Sequence, residues 1–191
     1  MMTRSTLFAA TAAVALALGL SAALPAHSAT EKTVQVGGAP MYPSKNIIQN
    51  AVNSKDHTTL VAAVKAAGLV DTLQGPGPFT VFAPTNGAFG KLPAGTVDTL
   101  VKPENKGTLT KILTYHVVPG RMTAANLMKA VKDGGGMARL KTIEGENLVV
   151  RQDGMSKLSI TDAKGGTSMI TVADVLQSNG VIHVVDTVLM P

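Results

Sequence analysis

Between Gly75-Pro76-Gly77 and Pro84 the chain carries Phe79-Thr80-Val81-Phe82-Ala83, a run of apolar or β-branched residues with no charge. A short continuous run of this kind between breakers predicts a strand buried on both faces. Pro84 has no N–H to give to a ladder, so the strand is expected to stop there. Thr85 or Asn86 is then expected to cap a short helical turn that carries Phe89 inward. A second run, Asn179 to Pro191, holds Val181-Ile182-His183-Val184-Val185 and is expected to be the partner strand. Three of the four phenylalanines fall between Phe79 and Phe89, so in a chain this poor in aromatics that stretch anchors the core.

Helical periodicity dominates the first half. Asn46 to Val52 predicts a short helix. Asp56 is placed to cap the next, whose inner face is Leu60, Val61, Val64 and Ala67 and whose end is Gly68. Leu69, Val70 and Leu73 extend the apolar surface. Pro93 is expected to open a helix with Val97, Leu100 and Val101 inward, and Pro103 to break it. Leu109, Ile112, Leu113 and His116 recur at i, i+3, i+4 and i+7, one helical face. Val117-Val118-Pro119-Gly120 reads as a strand end and turn. Thr123 caps a helix over 124–131 that buries Leu127, Met128 and Val131, and a glycine-rich loop follows. From residue 138 the pattern changes to short β-like runs over 138–143, 147–151, 157–161, 168–172 and 181–185, separated by glycine turns at roughly ten-residue spacing. Helices first and strands later, without βαβ alternation, predict an α+β fold of short, mostly antiparallel strands. The stretch 30–45 shows no clear periodicity and is expected to be an N-terminal arm, with one domain over 46–191.

Residues 1–29 read as a secretory leader: Arg4, an uncharged run from Leu7 to Leu20, then small residues with a cleavage pattern at Ala26-His27-Ser28. The chain has no cysteine, so packing alone must hold an exported domain together. The expected location is periplasm or medium, with no membrane span in the mature chain. The net charge is +5, with lysines and arginines scattered among acids. No basic run is interleaved with aromatics, which argues against nucleic acid. A mildly basic exported protein favours anionic polysaccharide or an anionic surface.

Candidate chemistry is sparse. His116 on an apolar face and His183 on a strand read as buried histidines with hydrogen-bonded rings. Tyr115, on the adjacent face, is the better candidate for an exposed ring with a polar tip. Neither His-x-His nor His-x₃-His occurs, so no metal and no cofactor are expected. There is no nucleophile elbow, and His183 and Asp186 point to opposite faces of one strand, so no enzyme is expected.

Three stretches in this order resemble the signatures of the fasciclin domain family: Thr80 to Phe89, Leu113-Thr114-Tyr115-His116-Val117, and Asn179 to Asp186. The resemblance implies a compact α+β wedge of strands with helices packed on it. It assigns Thr80, Phe82, Pro84, Asn86, Phe89, Asn179, Gly180, His183 and Asp186 to the family framework. It implies an extracellular adhesion or interaction module, with a matrix or cell-surface macromolecule as partner. The domain is expected to be a monomer capable of weak self-association. In animal members the Tyr-His region and an acidic segment before the last signature are linked to partner binding. Their counterparts here are Tyr115, His116, Asp174 and Val175, the candidate binding residues. The same resemblance allows a second reading, a carrier of a small apolar ligand in a cleft lined by Leu127, Met128, Leu140 and Val149.

Overall fold

A computed structural model describes residues 32–154 and 157–191. The expected leader, residues 1–29, lies outside the described residues. The elements run β1 Val34–Val36, β2 Ala39–Met41, α1 Ile47–Ala51, α2 Thr58–Ala67, α3 Val70–Gln74, β3 Phe79–Pro84, α4 Asn86–Gly90, α5 Thr96–Leu100, α6 Lys106–Tyr115, β4 Val117–Pro119, α7 Ala124–Asp133, β5 Met137–Lys141, β6 Asn147–Asp153, β7 Lys157–Thr161, β8 Thr167–Gln177 and β9 Gly180–Val185. The sheet order is β4-β3-β9-β8-β7-β6-β5. Neighbours are antiparallel except β3 and β9, which run parallel with Phe79 opposite Gly180 and Pro84 opposite Val185. The two runs expected to pair do pair, as the second and third strands of the sheet, next to the edge strand β4.

Two apolar clusters lie on opposite faces of that pair, which explains why neither strand alternates with polar residues. On one face Val81, Ala83, Ile182 and Val184 meet the inner sides of α2 and α6, including Leu60, Val64, Leu109 and Leu113. On the other, Phe82 and Val185 meet Leu127 and Val131 of α7 and the inward residues Ala138, Leu140, Leu148, Val150, Leu158 and Ile160. Phe82 is 0% exposed. Burial of such a ring is worth roughly 2–3 kcal/mol.

Four local expectations give way to longer-range contacts. The arm expected over 30–45 forms the β1–β2 hairpin, with Val36 and Met41 buried in the first cluster. It is tied down by the buried Asn50, whose Oδ1 accepts from Tyr42 N and whose Nδ2 donates to Tyr42 O and to Gln177 Oε1. Asp56 does not cap α2, because Lys55–His57 form a 3-10 turn that moves the helix start to Thr58. Asn86, at the start of α4, caps it instead: its Oδ1 accepts from Thr59 N at 3.0 Å, and its Nδ2 donates to Lys55 O at 2.8 Å. Replacing Asn86 with alanine should therefore cost about 1–2 kcal/mol, the loss of a cap plus a stranded carbonyl. Urea midpoints of the two proteins measure it, and equal midpoints would contradict this role. Pro93 precedes α5 by three residues instead of opening it, since Gly95 takes the N-cap position. Finally, β8 continues past Val172 to Gln177, with register shifts at Ile170/Val172 and Val172/Val175.

Candidate interaction surface

The framework residues of the signatures spend their polar groups on backbone. Thr80 Oγ1 donates to Gly120 O at 2.6 Å and accepts from Met122 N at 2.9 Å. Thr85 closes β3 and caps α4 through Ala88 N, which sets the buried Phe89 inward. Asn179 Oδ1 accepts from Ile47 N, and its Nδ2 donates to Leu73 O and Gly75 O, so one amide joins the start of α1 to the end of α3. Asp186 accepts from Met169 N at 2.8 Å and from Ser168 Oγ at 3.2 Å. Burial pushes its carboxyl up, but the Met169 N–H, Thr187 and Lys91 outweigh that and hold it below the usual carboxylate range.

Both signature histidines are buried and neutral, in opposite tautomers. His183 stacks on Phe82 with ring centroids 5.8 Å apart. Its Nδ1 faces Asp174 N at 3.4 Å, so its Nε2–H donates to Met122 O at 2.8 Å. His116 Nε2 accepts from Leu189 N at 3.0 Å, so its Nδ1–H donates to Ile112 O at 2.8 Å. Burial holds the His116 pKa at about 4, against smaller raising effects of the Ile112 carbonyl and Asp162. Burial likewise lowers His183 and His57.

Three of the four candidate binding residues have no outer surface. Tyr115 is 0% exposed, against the expectation of an open ring. Its hydroxyl accepts from Ala163 N at 2.9 Å and donates to Asn147 O at 3.2 Å, joining α6 to the outer strands. A buried phenol needs such partners, and the β6 start and the turn after β7 supply them. His116 and Val175 are also buried. Asp174 is half-buried and sits at the bulge of β8 with φ 58°, a conformation that aspartate tolerates better than most residues. Its Oδ1 accepts from Ala124 N at 2.7 Å, at the start of α7. The structure does bring Asp174 to His183, but as parts of one buried joint.

What faces outward on β8 is Leu176, 40% exposed, beside Thr171 and Ala173. β7 pairs with β8 only from Thr167 to Met169, so further along β8 carries a ladder on its β9 side alone among the described residues. Two open clefts border β8. One, about 480 Å³, lies between Lys157, Leu158, Ile170 and Thr171. The other, about 510 Å³, lies between Lys32, Val34, Pro43 and Leu176. The cleft expected along Leu127, Met128, Leu140 and Val149 does not form. Leu127 and Leu140 close the second cluster, whereas Val149 points to the other side of β6. The apolar cavity beside Ile48, Leu60, Val64 and Ile182 measures about 50 Å³, far below the size of a ligand pocket.

Among the described residues no three His, Asp or Glu side chains converge as metal ligands, and no helix is long and apolar enough to cross a membrane. A family model described as the fasciclin domain matches residues 55–191. Protein sll1483 of Synechocystis sp. is 44% identical over 193 residues, covering 100% of this chain and 99% of that protein. The cell surface glycolipoprotein MPB83 of Mycobacterium bovis is 38% identical over 149 residues, 74% of this chain and 58% of that one. The solved FAS1 domain pair of the insect cell adhesion molecule Fasciclin I superposes with a TM-score of 0.69 at 18% identity, covering 85% of this chain and 59% of that chain.

Proposed function

Because this chain belongs to the fasciclin domain family, whose members are adhesion or interaction modules, we propose that it is an exported, non-enzymatic module. It attaches to extracellular matrix, surface polysaccharide or another cell-surface macromolecule. The observation that carries the reading is the division of labour along β8. Asp174 and Val175 are committed to the fold, while Leu176 stands exposed between open clefts. Exposed apolar residues flanked by a strand with one free side offer both a contact and a backbone edge. Framework residues that a partner cannot reach act only by shaping this surface.

The test is attachment of intact cells of the producing organism to beads coated with the mature protein. Leu176→Ser is expected to reduce attachment about fivefold, about 1 kcal/mol, the cost of truncating a contributing interface residue. Stability should stay within about 0.5 kcal/mol, since the side chain is outside the core. Attachment unchanged by Leu176→Ser would remove β8 from the contact, and absence of attachment by the parent protein would end the adhesion reading.

A further inference from the structure

Alternation places Met137, Arg139 and Lys141 of β5 on the side of the sheet away from the second cluster, because Ala138 and Leu140 are buried in it. The register carries that face across the neighbouring strands. Met137 lies opposite Arg151, Arg139 opposite Val149, and Lys141 opposite Asn147. Arg151 in turn lies opposite Ser159, and Asp153 opposite Lys157. Arg139 is thus the diagonal neighbour of Arg151, and Arg151 of Lys157. Diagonal neighbours stand about 7–8 Å apart, and Arg139 and Lys141, two residues apart on one strand, about 7 Å. Lys141, Arg139, Arg151 and Lys157 therefore form one slanting row of roughly 20 Å across three strands. All four are exposed. Among the described residues none of them enters a salt bridge, and the one acid on the row is Asp153, at its Lys157 end.

We propose that this face of β5, β6 and β7 is a docking surface for a linear carboxylated polysaccharide. The proposal rests on the adhesion reading and names its partner. A continuous row of exposed cations across three strands, none in a salt bridge among the described residues, complements a linear polyanion. Two guanidiniums at its centre suit the planar carboxylate, which each can grip with two parallel hydrogen bonds. The neighbours on the same face, Asn147, Thr161 and Thr167, offer amide and hydroxyl groups to sugar hydroxyls. The face has no aromatic ring on which bases could stack. Its apolar residues, Met137, Val149 and Met169, are too few to enter a bilayer.

The experiment measures binding of the mature protein to immobilised alginate, with heparin, neutral dextran and phosphatidylglycerol vesicles as comparisons. The double variant Arg139→Gln/Arg151→Gln should bind alginate at least about tenfold more weakly. Lys102→Gln/Lys132→Gln removes the same net charge from other exposed sites and should change binding less than about twofold. Salt at about 0.5 M should abolish the difference between the two variants. Circular dichroism and urea midpoints of both variants should match the parent, because all four side chains lie outside the core. Equal weakening in the two variants would overturn the proposal, because binding would then follow net charge. Binding to vesicles or heparin in preference to alginate, occupation of the face by a second copy of the chain, or no alginate binding would overturn it too. Host-cell attachment that survives Arg139→Gln/Arg151→Gln but is lost in Leu176→Ser would sink this docking surface and leave the adhesion reading standing.

Discussion

Gly180→Ala is expected to destabilise the domain by roughly 4 kcal/mol or more, the range reserved for changes with a specific structural cause. Gly180 opens β9 and lies opposite Phe79 in the parallel ladder. A Cβ at this position would run into the Phe79 carbonyl oxygen and stand 3.1 Å from both the carbon and the nitrogen of that residue. The obstacle is backbone, held by Phe79 N donating to Asn179 O at 3.0 Å and by the pairing of β3 with β4. Nothing flexible can yield. Relief requires β3 and β9 to separate where both clusters depend on them, and a typical domain has only 5–15 kcal/mol to lose. Urea denaturation followed by circular dichroism measures the effect. A loss below about 1 kcal/mol would mean that the ladder can part at this end at little cost.

Stability should fall steeply between pH 6.5 and pH 4, before the carboxylates respond. The folded pKa of His116 is about 4 and its ordinary value 6.5. The folded state therefore takes up the proton later than the unfolded chain. The stabilisation is complete above pH 6.5 and is lost as the pH falls toward 4, at up to about 1.4 kcal/mol per pH unit. For His116 alone the total approaches about 3 kcal/mol, and His183 and His57 act in the same direction. The structural reason is that protonation of Nε2 in His116 or Nδ1 in His183 turns an acceptor for a backbone N–H into a second donor. His57 Nε2 is buried without a partner, and the Ala83 backbone and Asp56, which favour the charged ring, offset only part of the cost of burying it. Asp186 has its carboxyl held below the usual range, so its contribution disappears only at still lower pH. Urea midpoints at pH 7 and pH 4.5 isolate the histidines, and equal stability at the two values would refute their assignment as neutral structural groups. His116→Gln should flatten the curve while lowering stability at pH 7.

The α+β class, the pair of apolar strands and the α6 face were legible because each depends on neighbours in sequence. Phe79 to Ala83 was expected to be buried on both sides, since the run carries no charge and large apolar residues fall on both of its faces. Thr123 caps α7 as expected because its partner, Asn126, is three residues away. Asp56 had the same local credentials and failed. The 3-10 turn moved the helix start past it, and Asn86, distant in sequence at the start of α4, supplies the capping amide. The hairpin at residues 34–41 was missed because its strands have three residues each, too few for alternation to register. Its anchor, Asn50 with Gln177, joins residues 127 positions apart, and a lone polar residue in a short helix gives no sign of burial.

The sequence by itself determined most of the strands and helices after residue 46, the two apolar runs that pair, and the residues that match the fasciclin signatures. These follow from periodicity, breakers and residue type, which are local properties. Only the tertiary structure decided which polar side chains serve the fold and which remain free. Tyr115 is enclosed because Asn147 and Ala163 come to its hydroxyl, and Leu176 stands open beside a cleft whose other wall is Lys32, Val34 and Pro43. Lys141, Arg139, Arg151 and Lys157 form a row only through the register of three strands. Side-chain environment depends on pairings between distant segments, and a shift of one residue in register would send each of these groups to the opposite face.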